Sequence, residues 1–261
     1  MTRQMEYKTP IIIPAFKAQE RIEQTLLSLP AETVEPIIAI NGPIDRTAEI
    51  AERYGATVLT FEQQGKLPSI QGALRHMGNR ALSPILILDV DSRPIFPSLW
   101  RSGMVHEVMG EKDDHNPAIV GGPVIFTEDT VFENTIRTAR RMKRAMQSRN
   151  DRIVGSKAAQ YGPNMAINIA QDELLEKILA LDNYWPGEDR ALVDTVEGYG
   201  GVFTQPISPN LLVFTPSSKS YLSYFERKRT GVDEARNQVT EHYRENAPPN
   251  SRPYDHPEKQ A

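Results

Sequence analysis

The chain has 261 residues, a formal net charge of −4 and no cysteine. The length allows a sizeable hydrophobic core, and the lack of cysteine excludes a disulfide framework, a thiolate metal site and a cysteine nucleophile. The slightly acidic balance gives no overall attraction to nucleic acid or to an anionic membrane, so either partner would need a local basic patch.

The first hundred residues alternate short β-branched runs with amphipathic stretches. The run Ile85–Leu88 is apolar at every position, as expected for a strand that is buried on both faces. The pattern therefore predicts a doubly wound α/β fold, with a mostly parallel sheet and helices on both sides. Pro14 is expected to end the first strand. The predicted strands are 11–13, 36–40, 56–60 and 85–88, and the predicted helices are 18–29, 45–54 and 67–80.

The pattern becomes less regular after residue 97. The polar, proline-rich tail at 246–261 is expected to be disordered, which leaves one domain over residues 1–245. The predicted helices here are 98–109, 131–149, 171–181, 188–198 and 219–243, and the predicted strands lie within 119–126, 202–205 and 211–214.

Two carboxylates, Asp89 and Asp91, directly follow the apolar run Ile85–Leu88. Ligands of open parallel sheets bind outside the carboxyl ends of the strands, where these side chains fall. Two acids separated by one residue can share a hard divalent cation, and such a cation can neutralise a departing diphosphate. The alternative is a turn that caps the next helix, since aspartate is common in turns.

Several blocks of the chain, in this order, resemble family 2 glycosyltransferases of the GT-A fold. The resemblance covers residues 10–215. The blocks are Ile11-Ile12-Ile13-Pro14-Ala15-Phe16 with Thr25-Leu26-Leu27-Ser28-Leu29, Asn41-Gly42-Pro43-Ile44-Asp45, Gly65-Lys66 with Gln71-Gly72-Ala73-Leu74, Asp89-Val90-Asp91, Gly162-Pro163-Asn164-Met165-Ala166-Ile167, and Gly187-Glu188-Asp189-Arg190.

The resemblance implies a nucleotide-diphosphate sugar as donor, in the form of a UDP- or GDP-sugar. It implies a nucleotide-binding half at about 8–97 and an acceptor-binding half at about 98–245. Ile40 stands where the family often has an acid that contacts the base, so the base contacts are open. Lys66 would lie near the phosphates, although a solvated lysine at a helix start is the plainer interpretation. The implied donor-binding residues are Pro14, Ala15, Phe16, Asn41, Asp45, Lys66 and Asp89.

The resemblance also implies how the sugar is transferred. Asp189, next to Glu188, would be the general base for an acceptor hydroxyl, in an inverting displacement. Acids are also favoured in the first turn of a helix without any catalytic role. Mn²⁺ or Mg²⁺ would be held by Asp91 and Asp89. Retaining relatives add a late histidine ligand, here His242, and Arg227 or Arg229 would close over the diphosphate.

Basic side chains concentrate at 137–152, on or just after a predicted helix. This segment can dock peripherally at a membrane or bind an anionic acceptor, but a solvated helix face explains it equally well. No run reaches the roughly 20 apolar residues of a membrane span and no secretory signal is visible, so a cytoplasmic location is expected.

Three other functions stay open on the sequence alone. A retaining transferase has similar early motifs. A nucleotidyltransferase also uses a doubly wound sheet, but residues 14–20 contain no glycine for a phosphate loop. A non-catalytic nucleotide-binding module could use the same fold.

Overall fold

The computed structural model describes residues 8–42, 45–63, 65–110, 117–122, 124–126, 152–154, 164–182, 188–206 and 208–215. The strands are β1 Thr9–Ala15, β2 Val34–Asn41, β3 Thr57–Phe61, β4 Ile85–Leu88, β5 Arg93–Pro94, β6 Ala118–Gly121, β7 Val124–Phe126, β8 Arg152–Val154, β9 Asn164–Asn168, β10 Val202–Pro206 and β11 Val213–Thr215. The helices are α1 Ile22–Leu27, α2 Thr47–Arg53, α3 Lys66–Met77, α4 Pro97–Met109, α5 Asp172–Leu179 and α6 Glu188–Gly198, with 3-10 turns at Gly78–Leu82 and Pro209–Leu211.

The main sheet has eight strands in the order β3-β2-β1-β4-β9-β6-β10-β8. Strands β3, β2, β1 and β4 are parallel neighbours. Strand β9 runs antiparallel to β4 and to β6, and β8 runs antiparallel to β10. The mostly parallel sheet predicted from the sequence is confirmed. The chain winds outward from β1 through β2 to β3 and then returns to β4 on the other side of β1, which places a topological switch point between β1 and β4.

Alternate residues of the central strands enter two separate cores. Ile11 and Leu86 pack on the face covered by α1, α2 and α4, together with the fully buried Trp100. Ile12 and Ile87 pack on the opposite face, which is covered by α3, α5 and α6. This period-two division explains why the strands are apolar at every position. The sheet is thus covered by helices on both faces, as the sequence predicted.

The boundaries differ from the predictions in several places. Strand β1 continues through Pro14 to Ala15, so the expectation that Pro14 ends it was wrong. Pro14 lies beyond Ile11 and Ile12, the two residues of β1 that pair with β4, so its missing amide interrupts no hydrogen bond of that pair. The predicted strand within 119–126 is two strands, β6 and β7. The predicted helices at 131–149 and 219–243 and the tail at 246–261 lie outside the described residues.

A second sheet lies directly after β4 in the chain. Strand β5 pairs antiparallel with β11, and β11 pairs parallel with β7. Residues 89–92, between β4 and β5, thus link the two sheets. Among the described helices, none has the length and hydrophobicity to cross a membrane.

Candidate functional site

Residues 89–92 form a tight turn, here called the acidic turn, at the carboxyl end of β4. The backbone amide of Ser92 donates to the carbonyl oxygen of Asp89 at 2.9 Å. Strand β5 separates this turn from α4, and the cap residue of α4, Phe96, makes no side-chain cap hydrogen bond. The alternative in which the turn caps the next helix is therefore wrong.

Lys66 joins two carboxylates that are distant in the sequence. Its Nζ lies 2.9 Å from Oδ1 of Asp89 and 3.2 Å from Oδ1 of Asp189. The Lys66 side chain is only 16% exposed, so the plainer interpretation of a solvated lysine is wrong. These three residues, here called the charged cluster, bring together the start of α3, the end of β4 and the first turn of α6.

The Asp89 carboxyl is electrostatically strained in this arrangement. Although 34% of its side chain remains accessible, the surrounding protein removes hydration and raises the pKa of Asp89 to about 6. Lys66 lowers this pKa, while the charges of Asp189 and Asp91 raise it further. The balance shows that one ammonium does not offset the burial and repulsion of neighbouring carboxylates, so the cluster favours additional positive charge.

Asp91 points to a different helix. Its Oδ2 lies 3.4 Å from Nη1 of Arg21, which precedes α1. Arg21 was not identified from the sequence as a site residue. Its place at the start of the first-helix segment that contains Thr25 was the available signal, but the sequence does not reveal which helix faces which turn.

Phe16, Lys17 and Gly42 form what is here called the aromatic corner, where the chain leaves β1 and β2. The Phe16 ring is 48% exposed, and Nζ of Lys17 lies 5.6 Å from its centroid. Gly42 has φ +98°, and a Cβ added there would lie 2.7 Å from Cδ2 of Phe16. The ring is therefore held against a glycine backbone, while about half of the Phe16 surface remains exposed to solvent.

Asn41 is buried and supports the position of Lys66. Its Nδ2 donates to the Gly65 carbonyl oxygen at 3.2 Å and to Oγ of Ser69 at 2.6 Å. Gly65 is the cap residue of α3 and has φ +125°. These two contacts fix the start of the helix that begins with Lys66.

Asp45 is engaged with backbone amides of its own neighbourhood. Its Oδ1 accepts from the amide of Thr47 at 2.9 Å and its Oδ2 from the amide of Gln19 at 3.4 Å. Burial acts to raise the pKa of Asp45, but the hydrogen bonds from Thr47 and Gln19 outweigh it and lower that pKa. Asp45 thereby ties the loop after β1 to the start of α2.

The remaining predicted site residues are placed as follows. Pro14 and Ala15 are buried within β1 and present little surface to a ligand. Glu188 begins α6, but its side chain is outside the described residues. The described residues also do not include Arg227, Arg229, His242 or the basic stretch 137–151, so the roles predicted for them stay predictions. Arg152, the last residue of the basic segment 137–152, is the first residue of β8.

The donor set at the acidic turn suits a hard divalent cation. Within the described ranges, no three histidine or acidic side chains group closely enough to hold a metal by themselves. Mg²⁺-type sites often use only one or two carboxylates and take their other ligands from water and substrate phosphates. Asp89 and Asp91 fit such a site: burial raises the pKa of Asp89 to about 6, and a nearby cation would favour its charged form.

The glycosyl transferase family 2 model matches residues 11–170, more than half of the chain. The chain belongs to glycosyl transferase family 2. It is thus a glycosyltransferase by family, and the resemblance noted from the ordered blocks is confirmed. No curated protein matches the chain.

Similar solved structures share the GT-A fold at low sequence identity. A mannosyltransferase from Pyrobaculum calidifontis in complex with GDP-Man and Mn²⁺ has a TM-score of 0.60 and 15% identity, and the match covers 91% of this chain and 65% of that one. Mannosyl-3-phosphoglycerate synthase from Rubrobacter xylanophilus has a TM-score of 0.57 and 14% identity, with coverages of 98% and 79%. Glucosyl-3-phosphoglycerate synthase from Mycobacterium tuberculosis, in complex with Mn²⁺, UDP and phosphoglyceric acid, has a TM-score of 0.54 and 18% identity, with coverages of 94% and 80%.

Proposed function

We propose that this protein transfers a sugar from a UDP- or GDP-sugar to an acceptor hydroxyl in a reaction that depends on Mn²⁺ or Mg²⁺. The observation that carries the proposal is the charged cluster, in which Lys66 lies 2.9 Å from Asp89 and 3.2 Å from Asp189 at the end of β4. It combines a cation for phosphate, a carboxylate for metal and a carboxylate for proton transfer.

The donor would lie along the edge of the sheet that runs from the aromatic corner to the charged cluster. Phe16 offers an exposed ring for the nucleotide base, and Lys66 offers an ammonium for the diphosphate. Asn41 and Asp45 hold the loops and helix that carry these groups, so their proposed contribution to donor binding includes positioning. Residues 8–97 would thus bind the donor, and residues 98–245 the acceptor.

Asp91 and Asp89 would hold the divalent cation. When bound, the cation would neutralise negative charge that develops on the diphosphate as it leaves. The presence of Mn²⁺ in two of the similar structures supports this proposal. Arg21 and Lys66 pair with the same two carboxylates in the described structure, so the cation would compete with both basic groups.

Asp189 would act as the general base. The acceptor oxygen attacks the anomeric carbon, Asp189 takes the hydroxyl proton, and the bond to the diphosphate oxygen breaks with its electrons leaving on the diphosphate. This direct displacement inverts the anomeric centre. A retaining reaction would give the opposite product, and NMR of the product anomeric proton distinguishes the two.

Isothermal titration of UDP and GDP, each with Mn²⁺ and with EDTA, tests the division of roles. Asp91→Ala is expected to abolish the metal-dependent part of the affinity. Asp189→Ala is expected to retain it, yet to lose transfer by a factor on the order of 10² to 10⁴. Because the acceptor is unidentified, hydrolysis of UDP- and GDP-sugars in the presence of Mn²⁺ supplies the first activity measurement.

Two outcomes contradict the proposal. One is nucleotide affinity that is equal in Mn²⁺ and in EDTA for the wild-type chain. The other is wild-type donor turnover by both Asp91→Ala and Asp189→Ala. Asp194→Ala, on the exposed face of α6, is the matched carboxylate control and should leave both measurements unchanged.

A further inference from the structure

Every residue from 89 to 93 contacts a side chain from elsewhere in the chain. Besides the two carboxylates described above, the backbone carbonyl of Val90, the hydroxyl of Ser92 and the guanidinium of Arg93 are each engaged. Taken in order from residue 89 to residue 93, their partners are Lys66, Thr25, Arg21, Thr215 and Gln24.

Three of these five partners come from one face of the chain around α1. Arg21, Gln24 and Thr25 are spaced at i, i+3 and i+4, a spacing that places side chains on the same side of a helix. Their contacts reach the acidic turn and the first residue of β5. Helix α1 therefore lies along the turn and holds it from one side, while Thr215 of β11 holds Ser92 from the other.

The contact made by Thr25 is the least replaceable of the three. Thr25 is fully buried, and its Oγ1 donates to the Val90 carbonyl oxygen at 2.6 Å. The same hydroxyl lies 3.3 Å from the carbonyl oxygen of Arg21. Because a hydroxyl has one proton and the Val90 contact is much shorter, the hydrogen bond goes to Val90. Because Thr25 is fully buried and the contact is part-buried, removal of the hydroxyl would take away this donor from the Val90 carbonyl.

Val90 is the residue between the two proposed metal ligands, so its carbonyl fixes the peptide that connects them. We propose that the Thr25 hydroxyl positions the acidic turn so that Asp89 and Asp91 can hold a divalent cation together. This inference rests on the proposed metal-dependent function. A Mg²⁺-type cation requires near-ideal ligand geometry, and loss of a group that orients the ligands typically lowers metal affinity. Thr25 is a positioning residue in this scheme, since it touches neither metal nor donor.

The test compares four full-length proteins: wild type, Thr25→Val, Thr25→Ser and Thr195→Val. Valine keeps the shape of threonine and removes the hydroxyl, while serine keeps the hydroxyl. Thr195 is the matched control, because its Oγ1 donates at 2.7 Å to the carbonyl of Ala191 within its own helix. For each protein, the affinity for UDP and for GDP is measured with Mn²⁺ and with EDTA. The ratio of the two affinities is the metal-dependent gain.

Thr25→Val is expected to reduce this gain roughly 10-fold and to leave the affinity in EDTA unchanged. Thr25→Ser and Thr195→Val are expected to keep the wild-type gain.

An undiminished gain in Thr25→Val overturns the inference but not the proposed function. Equal loss of affinity with Mn²⁺ and EDTA also overturns it, since that pattern indicates general damage. If the wild-type chain shows no gain, the proposed function fails as well. If Thr25→Val does not fold, Thr25→Ala replaces it in the same comparison.

Discussion

The charged cluster and the aromatic corner lie at opposite ends of the proposed donor site and are constructed differently. The charged cluster collects Lys66, Asp89 and Asp189 from three distant segments, and its contacts join charged groups. The aromatic corner joins the loops after two adjacent strands through a close contact between Phe16 and Gly42. The charged cluster should therefore respond to substitutions that change charge, and the aromatic corner to substitutions that change side-chain size.

The largest effect on nucleotide affinity in this comparison is expected from removing the ammonium of the charged cluster. Lys66→Met should lower the affinity for UDP or GDP by roughly 10- to 100-fold, since charge-assisted hydrogen bonds contribute about 1.5–3 kcal/mol. Titration calorimetry measures the change. Lys8→Met is the control, because Lys8 is exposed and bonds only the carbonyl of Ala31 among the described contacts. Equal affinities for Lys66→Met and wild type would remove Lys66 from the donor site.

A larger side chain at position 42 tests the packing of the aromatic corner. Gly42→Ala should lower the stability of the chain by about 1–3 kcal/mol, because alanine is strained at φ +98° and its Cβ would collide with the Phe16 ring. Thermal unfolding measures the loss. Gly55→Ala is the control: Gly55 has φ +74° but open space around an added Cβ, so this variant should lose only the stability that the strained backbone of alanine costs.

A double variant separates the two contributions at residue 42. Phe16→Ala combined with Gly42→Ala removes the collision and should recover the difference between the Gly42 and Gly55 variants. No recovery would mean that the Phe16 ring and Gly42 do not press against each other.

The exposed ring of Phe16 offers a smaller effect on binding. Phe16→Ala should weaken UDP or GDP binding about 5-fold, near the lower limit of about 1 kcal/mol for stacking of a base on an aromatic side chain. Phe96→Ala is a close control, since Phe96 is also 48% exposed and is the cap residue that precedes α4. An equal change in both variants would assign the effect to general loss of apolar surface rather than to a base.

The charged cluster also predicts a pH-dependent difference in stability. Because the pKa of Asp89 rises from 3.8 unfolded to about 6 folded, the folded chain binds more protons between these values and loses stability as pH rises through them. Asp89→Asn avoids this loss, so its melting temperature relative to wild type should increase between about pH 4 and pH 7 in EDTA.

Asp45→Asn provides the opposite case for the same measurement. The pKa of Asp45 is lowered, so its carboxylate stabilises the folded chain above its unfolded pKa and this contribution is lost only at more acidic pH. Its melting temperature relative to wild type should stay level over the same interval. A level profile for Asp89→Asn as well would contradict the electrostatic strain assigned to Asp89.

Much of the site could be predicted because its residues stand in short blocks at the end of a strand or at the start of a helix. Asp89, Lys66 and Asp189 were each identified in this way, and the structure brings them together. The local pattern was least informative about contacts between blocks. Donor binding by Asn41 stays a prediction, but the contacts of its amide with Gly65 and Ser69 depend on how α3 approaches β2 and could not be read from the sequence.

The amino-acid sequence by itself determined the doubly wound sheet, the apolar strand that ends in two aspartates, and membership of family 2. These features follow from local periodicity and from ordered motifs, which need no knowledge of distant neighbours. Only the tertiary structure decided that Lys66 pairs with both Asp89 and Asp189, that Arg21 faces Asp91, and that Thr25 holds the carbonyl of Val90. The reason is physical: these contacts depend on the angles at which helices pack on the sheet, which arise from the whole core rather than from any short segment.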